Sequence, residues 1–217
     1  MMGNNPIRNL YNELFQKYGK PEGQWKLWCR RPKTEYEKEI IFIEAILTQR
    51  TNWKNVELAM NNLRAAKITR LKDICNSCEN DVARLGTLIK PAGFYFQKAG
   101  YLQNLAKFVL ENYETVSRMQ KEPHAKLREE LLALKGIGPE TADSILLYAL
   151  EKPVFVIDEY TKRIARAKNL GASFKYHALQ ELFESAIEKD CALYQDFHAL
   201  IVINGKEKNN GIFKQSQ

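Results

Sequence analysis

Residues 127 to 167 read LREELLALKGIGPETADSILLYALEKPVFVIDEYTKRIARA, and the parts of this stretch have separate physical uses. Arg128 to Leu134 spaces its apolar residues as an amphipathic helix does. Gly136 and Gly138 then allow positive φ and close backbone approach, and Pro139 stands where a new helix tolerates a missing N–H. Such a turn aims backbone N–H groups at one spot, at the positive end of the next helix, which is a seat for a phosphate oxygen. A plain αα-corner with a glycine turn gives the same pattern, so G-x-G alone does not decide between them. Asp158 comes twenty residues after Gly138, past the apolar PVFVI and directly before the helical pattern EYTKRIARA. That is an N-cap position. A carboxylate at a helix N-terminus also stays ionised easily, and an ionised carboxylate is what a cationic sugar transition state needs nearby.

Outward from this stretch, apolar residues recur at intervals of three and four in EYEKEIIFIEAILTQ, NWKNVELAMNNLRAA, FYFQKAGYLQNLAKFVLENY, FKYHALQELFESAIEK and ALYQDFHALIVIN. The sequence therefore predicts an all-α protein of roughly ten short helices. PVFVI, residues 153–157, reads as a strand or as an extended connector, and the polar tail GKEKNNGIFKQSQ reads as frayed.

A net charge of +7 and a pI near 9.1 suit a polyanionic partner, because each cation placed near a phosphate releases a counterion. Glu44 interrupts the longest apolar run, Ile40 to Leu47, which is far too short to span a bilayer. The start MMGNNPIRNL lacks a signal-peptide core, so a cytoplasmic protein without a membrane partner is expected. The four cysteines, Cys29, Cys75, Cys78 and Cys191, make no disulfide framework. Cys75 and Cys78 have C-x-x-C spacing without a second pair of ligands, and they read as half a zinc or redox motif or as ordinary thiols in a loop. His124, His177 and His198 show no metal-ligand spacing, and His198, among apolar neighbours, reads as structural.

LKGIGPETADSILLYA followed by VFVIDEY resembles the helix-hairpin-helix and Gly/Pro/Asp signature of the endonuclease III superfamily of DNA glycosylases. ILTQRTNW (46–53), IKPAGFYFQKAGYL (89–102) and FHALIVINGK (197–206) resemble further segments of that superfamily, in the same order, so the likeness covers roughly residues 35 to 206. The resemblance implies a two-lobed helix-hairpin-helix fold with a cleft between the lobes. One lobe would take residues 1–35 and 150–217, and the other, residues 36–149, would carry the hairpin. It implies that Asp158 is the catalytic aspartate and that Lys135, Gly136, Ile137, Gly138 and Thr141 hold DNA. It also implies that Gln49 fills the hole left by a flipped base and that the hairpin carbonyls hold a monovalent cation. Flipping is required because a stacked base hides its glycosidic carbon.

Two departures narrow the chemistry. Members that also nick the strand place a lysine two residues beyond the second hairpin glycine, where its amine forms a Schiff base, and this chain has Glu140 there. Lys135 lies on the other side of the turn. Endonuclease III also carries four cysteines after its last helix for a [4Fe–4S] cluster, and none follows Cys191 here, so no iron–sulfur cofactor is expected. Together with the aromatic Trp53 after TQ-x-T, these features look similar to the endonuclease III-like 3-methyladenine DNA glycosylases. That likeness puts Trp53, and Trp25 or Trp28 near the N-terminus, against a flipped alkylated purine; the alternative is that all three pack the core. A cationic purine would stack on such rings and be attracted by Glu140.

The expected function is hydrolysis of the N-glycosidic bond of an alkylated base in double-stranded DNA by a monomer without lyase activity. The rivals are a glycosylase for oxidised or mismatched bases, with or without lyase activity, and a non-catalytic helix-hairpin-helix DNA-binding protein. Asp158 speaks against the last, since a pure binder needs no carboxylate aimed at a sugar.

Overall fold

The computed structural model describes residues 5–214, with side chains for all of them except 78–82 and 208–214. In chain order the helices are α1 (Pro6–Tyr18), α2 (Trp25–Trp28), α3 (Glu35–Leu47), α4 (Trp53–Ala65), α5 (Leu71–Leu88), α6 (Tyr95–Tyr113), α7 (Val116–Met119), α8 (His124–Ala133), α9 (Pro139–Ser144), α10 (Glu159–Ala167), α11 (Tyr176–Ala186) and α12 (Cys191–Lys214). A 3₁₀ turn, Lys90–Ala92, leads into α6, and a π-helical turn, Ile145–Ala149, continues α9. No strand occurs among the described residues, so the chain is all-α, and no helix is long and apolar enough to cross a membrane. Backbone proximity separates two compact units, Met1–Arg31 with Pro153–Gln217, and Pro32–Lys152.

The second unit is organised by α3. Thr34 and Glu37 form a capping box at its start, and Ile40 to Leu47 are all buried, so neighbouring helices cover it on every side. Its acidic residues close the ends of other helices. Glu35 accepts the N–H groups of Val116 and Ser117, and Glu39 accepts the N–H of Leu71 and two donors from Arg70. The three backbone N–H groups among these donors stand at helix starts and have no partner within their own helix. The helices of the hairpin are tied by Arg128 of α8 and Asp143 of α9, whose Nε–Oδ1 and Nη2–Oδ2 distances are 2.7 and 3.1 Å. Asp143 is fully buried, so removing either partner would strand a charge.

The first unit is built on α12, which packs against α1 and α10. Its core is an aromatic cluster in which Phe155 stacks on Phe183 at 4.7 Å and meets Tyr194 and Phe197 edge-on, each at 5.4 Å. Phe155 belongs to the PVFVI run, which is an extended connector. Its backbone bonds go to side chains of α11: Phe155 N–H donates to Glu184 (2.7 Å) and Gln180 Nε2 donates to the Phe155 carbonyl (2.8 Å). No partner strand is needed, because a buried peptide group requires only a hydrogen bond.

Two further expectations differ from what is observed. Cys75 sits buried on α5, not in a loop, and the side chain of Cys78 lies outside the described residues. The tail read as frayed is helical through Lys214, continuing α12, while 215–217 lie outside the described residues.

Candidate functional site

The candidate residues fall into two groups, one in each unit. In the unit 32–152 the hairpin runs from Leu134, in extended conformation after α8, to Pro139 at the start of α9. Gly136 has φ +91 and lies against Tyr101, whose ring an added Cβ would overlap. Gly138 is a correction to the sequence reading: its φ is −95 and ψ 178, and a Cβ there would meet nothing within 4 Å. The residue before a proline is driven into extended conformation, so Pro139 sets this geometry and no left-handed turn is needed. Gly136→Ala is therefore expected to cost several kcal/mol, roughly the sum of a strained φ and an overpacked contact, with a melting temperature lower by several degrees. Gly138→Ala should melt close to wild type, and any loss of duplex binding it shows would report crowding at the DNA and not misfolding.

Gln49 joins this hairpin directly. Its Nε2 donates to the Gly136 carbonyl at 2.9 Å and to Thr141 Oγ1 at 3.1 Å. Behind it stands Lys98, whose ammonium donates to the carbonyls of Leu47, Gln49 and Ala92 at 2.9, 2.7 and 2.8 Å. Lys98 is 1% exposed, and burial pushes it down to about 8, so the ammonium form with its three donors persists at neutral pH. It fixes the Gln49 loop to the 3₁₀ turn that precedes Phe94. Phe94 starts α6 in left-handed conformation, φ 47, and is exposed, as is Phe96. Sequence reasoning quoted this segment but gave neither Lys98 nor these rings a role.

Ile137 is buried, so its side chain anchors the hairpin and only its main chain can face a partner. Lys135 and Glu140 are exposed on either side of the turn. The carbonyls of Leu134, Gly136 and Gly138 accept from Ile137, Gln49 and Ala142. Each retains a second lone pair, and neutral oxygens of this kind fit a monovalent cation better than a soft metal. Trp53, half-buried, lines a groove of about 490 Å³ with Glu44, Glu57, Met60 and Arg64, and Glu140 is not among the lining residues.

In the other unit Asp158 caps α10. Its Oδ1 accepts from Thr161 N at 2.7 Å and Thr161 Oγ1 at 2.9 Å. Its Oδ2 lies 3.6 Å from His198 Nε2 of α12. The two helices approach closely there because residue 205 is glycine: the Tyr160 ring occupies the space a Cβ would take. Burial pushes the Asp158 carboxyl up, but His198 and the two Thr161 bonds outweigh it and hold the carboxyl below the usual carboxylate range. Lys206, one further position along α12, feels Asp158 as well and donates to Gln24 Oε1 at 2.8 Å; burial lowers its pKa. Trp25 and Trp28 are both buried in this unit, meeting edge-on at 5.9 Å, and Trp25 meets the His198 ring at 5.8 Å. The sequence reading placed His198 in the core and did not connect it to Asp158, because nothing in the spacing of 158 and 198 marks them as neighbours.

The chain shares its sequence pattern and fold with known proteins. Residues 43–189 match the model of the HhH-GPD superfamily base excision DNA repair proteins. A provisionally named DNA repair glycosylase of Methanocaldococcus jannaschii is 42% identical over 204 residues, 93% of this chain and 87% of that protein. Endonuclease III of Sulfolobus acidocaldarius is 29% identical over 170 residues, 76% of this chain and 71% of its own. The crystal structure of H. pylori 3-methyladenine DNA glycosylase bound to 1,N6-ethenoadenine superposes with a TM-score of 0.75 at 28% identity, covering 94% of this chain and 96% of that one. The chain belongs to the HhH-GPD superfamily of base excision DNA repair proteins, and within it is a DNA glycosylase.

Proposed function

We propose that this glycosylase hydrolyses the N-glycosidic bond of an alkylated, 3-methyladenine-type purine in double-stranded DNA, acts as a monomer and leaves the abasic strand intact. The observation that carries the reading is the state of Asp158. A buried carboxylate, held in one rotamer by Thr161 and kept ionised, stabilises the oxocarbenium-like charge that develops on the sugar, and can orient the attacking water. An alkylated purine leaves readily because it already carries positive charge, so this site requires no strong acid for the leaving base. Support for the substrate class comes from Trp53, half-buried and able to act as a stacking platform, and from Glu140 where a lyase would carry its lysine. The hairpin with Gly136, Gly138 and Thr141 would hold the phosphate backbone, a contact blind to sequence, with Gln49 bracing it. A monovalent cation on the hairpin carbonyls would supply one positive charge toward a phosphate oxygen.

A panel of duplexes, each with one lesion, assayed for free base tests the substrate class. Release confined to oxidised or mismatched bases would replace the alkylation reading.

The missing lyase step has its own test. Wild type is expected to leave abasic strands unbroken and to escape borohydride trapping, since Glu140 offers no amine. Glu140→Lys should yield some trapped complex. Efficient trapping of wild type would make the protein a lyase, and its loss in Lys135→Ala or in Lys206→Met would identify the amine.

A further inference from the structure

Resting on Asp158 as the catalytic carboxylate, we propose that His198 is a positioning residue that holds this carboxylate in place and in its charged form, and so sets the acid limit of base release. The two oxygens of Asp158 have different surroundings. Oδ1 is saturated by the amide and hydroxyl of Thr161, on the same helix. Oδ2 faces α12, where His198 Nε2 lies 3.6 Å away and both side chains are almost closed to solvent, with exposures of 12% and 6%. The ring cannot turn freely, because Trp25 packs against it at 90°. With a proton on Nε2, in the neutral ring or in the imidazolium, an imidazole so placed turns positive charge toward Oδ2 across 3.6 Å, and this favours the carboxylate over the acid.

Other charged or polar groups among the described residues lie near the pair. On α12 Lys206 interacts with Asp158 electrostatically while donating to Gln24. On α10 Thr161 is neutral and Glu159 turns to Arg166 at 3.7 Å. Further along, Lys17 and Tyr18 of α1 engage Glu207, and Tyr18 also reaches Asn204 at 3.2 Å. Burial by itself favours the neutral acid, so a carboxylate in this position needs an opposing partner, and His198 is the largest one present.

The sign follows. Rate requires ionised Asp158 and falls as pH drops through its pKa; weakening the hold on the charged form raises that pKa and moves the acid limb toward neutrality. His198→Gln and His198→Phe test this, the second keeping a ring against Trp25 while removing both nitrogens. In the free proteins, the carboxyl carbon of Asp158, followed by NMR against pH, is expected to titrate about one pH unit or more higher in both variants. The acid limb of single-turnover base release should move by the same amount, with duplex affinity at neutral pH unchanged. An unmoved carboxyl titration in either variant, once circular dichroism shows it folded, overturns the proposal. So does a rate lowered equally at every pH, which is what loss of packing alone would give. A protein that releases no base from any duplex, yet shows the shifted titration, defeats the catalytic reading of Asp158 and with it the acid limit, while the electrostatic hold of His198 stands as measured.

Discussion

Asp158→Asn is expected to slow base release by a factor on the order of 10²–10³ or more, with duplex affinity unchanged or tighter, because the carboxylate serves charge that exists only in the transition state. The substitution is discriminating because asparagine caps helices as well as aspartate does, so the Thr161 bonds and the start of α10 persist. Stability supplies a second readout. The folded carboxyl lies below its unfolded value, so its ionisation contributes stability that is present above about pH 4 and lost as pH falls through the folded pKa. The variant lacks this contribution, and the difference between the two melting curves should shrink on acidification. Unchanged base release by Asp158→Asn would remove the catalytic assignment.

The second large effect falls on Lys98, far from the chemistry in role. Lys98→Met leaves the carbonyls of Leu47, Gln49 and Ala92 without their shared donor in a site closed to water, and a loss of about 3 kcal/mol or more is expected. The pH dependence has a definite direction. Burial pushes the native ammonium down to about 8 from the ordinary lysine value of 10.5, so between these limits the unfolded chain binds more protons and wild-type stability rises with pH. The gap between wild type and Lys98→Met should therefore widen from pH 8 toward 10 in chemical denaturation. Duplex binding should weaken too, since the Gln49 main chain loses its tether while its side chain still braces Gly136. A variant as stable as wild type would show that the three carbonyls find other donors.

Much of this was legible from residues alone. The capping of α10 by Asp158 follows from a carboxylate placed before an apolar period, and the all-α fold from spacings of three and four. Other features were hidden for identifiable reasons. LKDICNSCENDVARLGTL has few large apolar residues and a distracting cysteine pair, yet it forms α5 because α6 packs along it. Gly138 looks interchangeable with Gly136 in the sequence, but only one of them takes positive φ, since the proline after the other dictates an extended backbone. His198, Lys98 and Lys206 acquire meaning only through long-range neighbours: His198 lies forty residues from Asp158, and Lys98 spans 51 positions to the Leu47 carbonyl. Local pattern carries no such information.

The connector 154–157 has a bearing on how this protein fails. Proline followed by valine, phenylalanine, valine and isoleucine is, by composition, a segment prone to cross-β association: rich in β-formers, uncharged and fully buried in the native state. What keeps it from recruiting another chain is not a gatekeeping charge within it but Glu184 and Gln180, which occupy the N–H and carbonyl of Phe155 from α11. Local opening of α11 would therefore uncover an aggregation-competent edge before the rest of the chain unfolds. A charged substitution on α11 that weakens its packing is therefore expected to shorten the soluble lifetime more than it lowers the melting temperature.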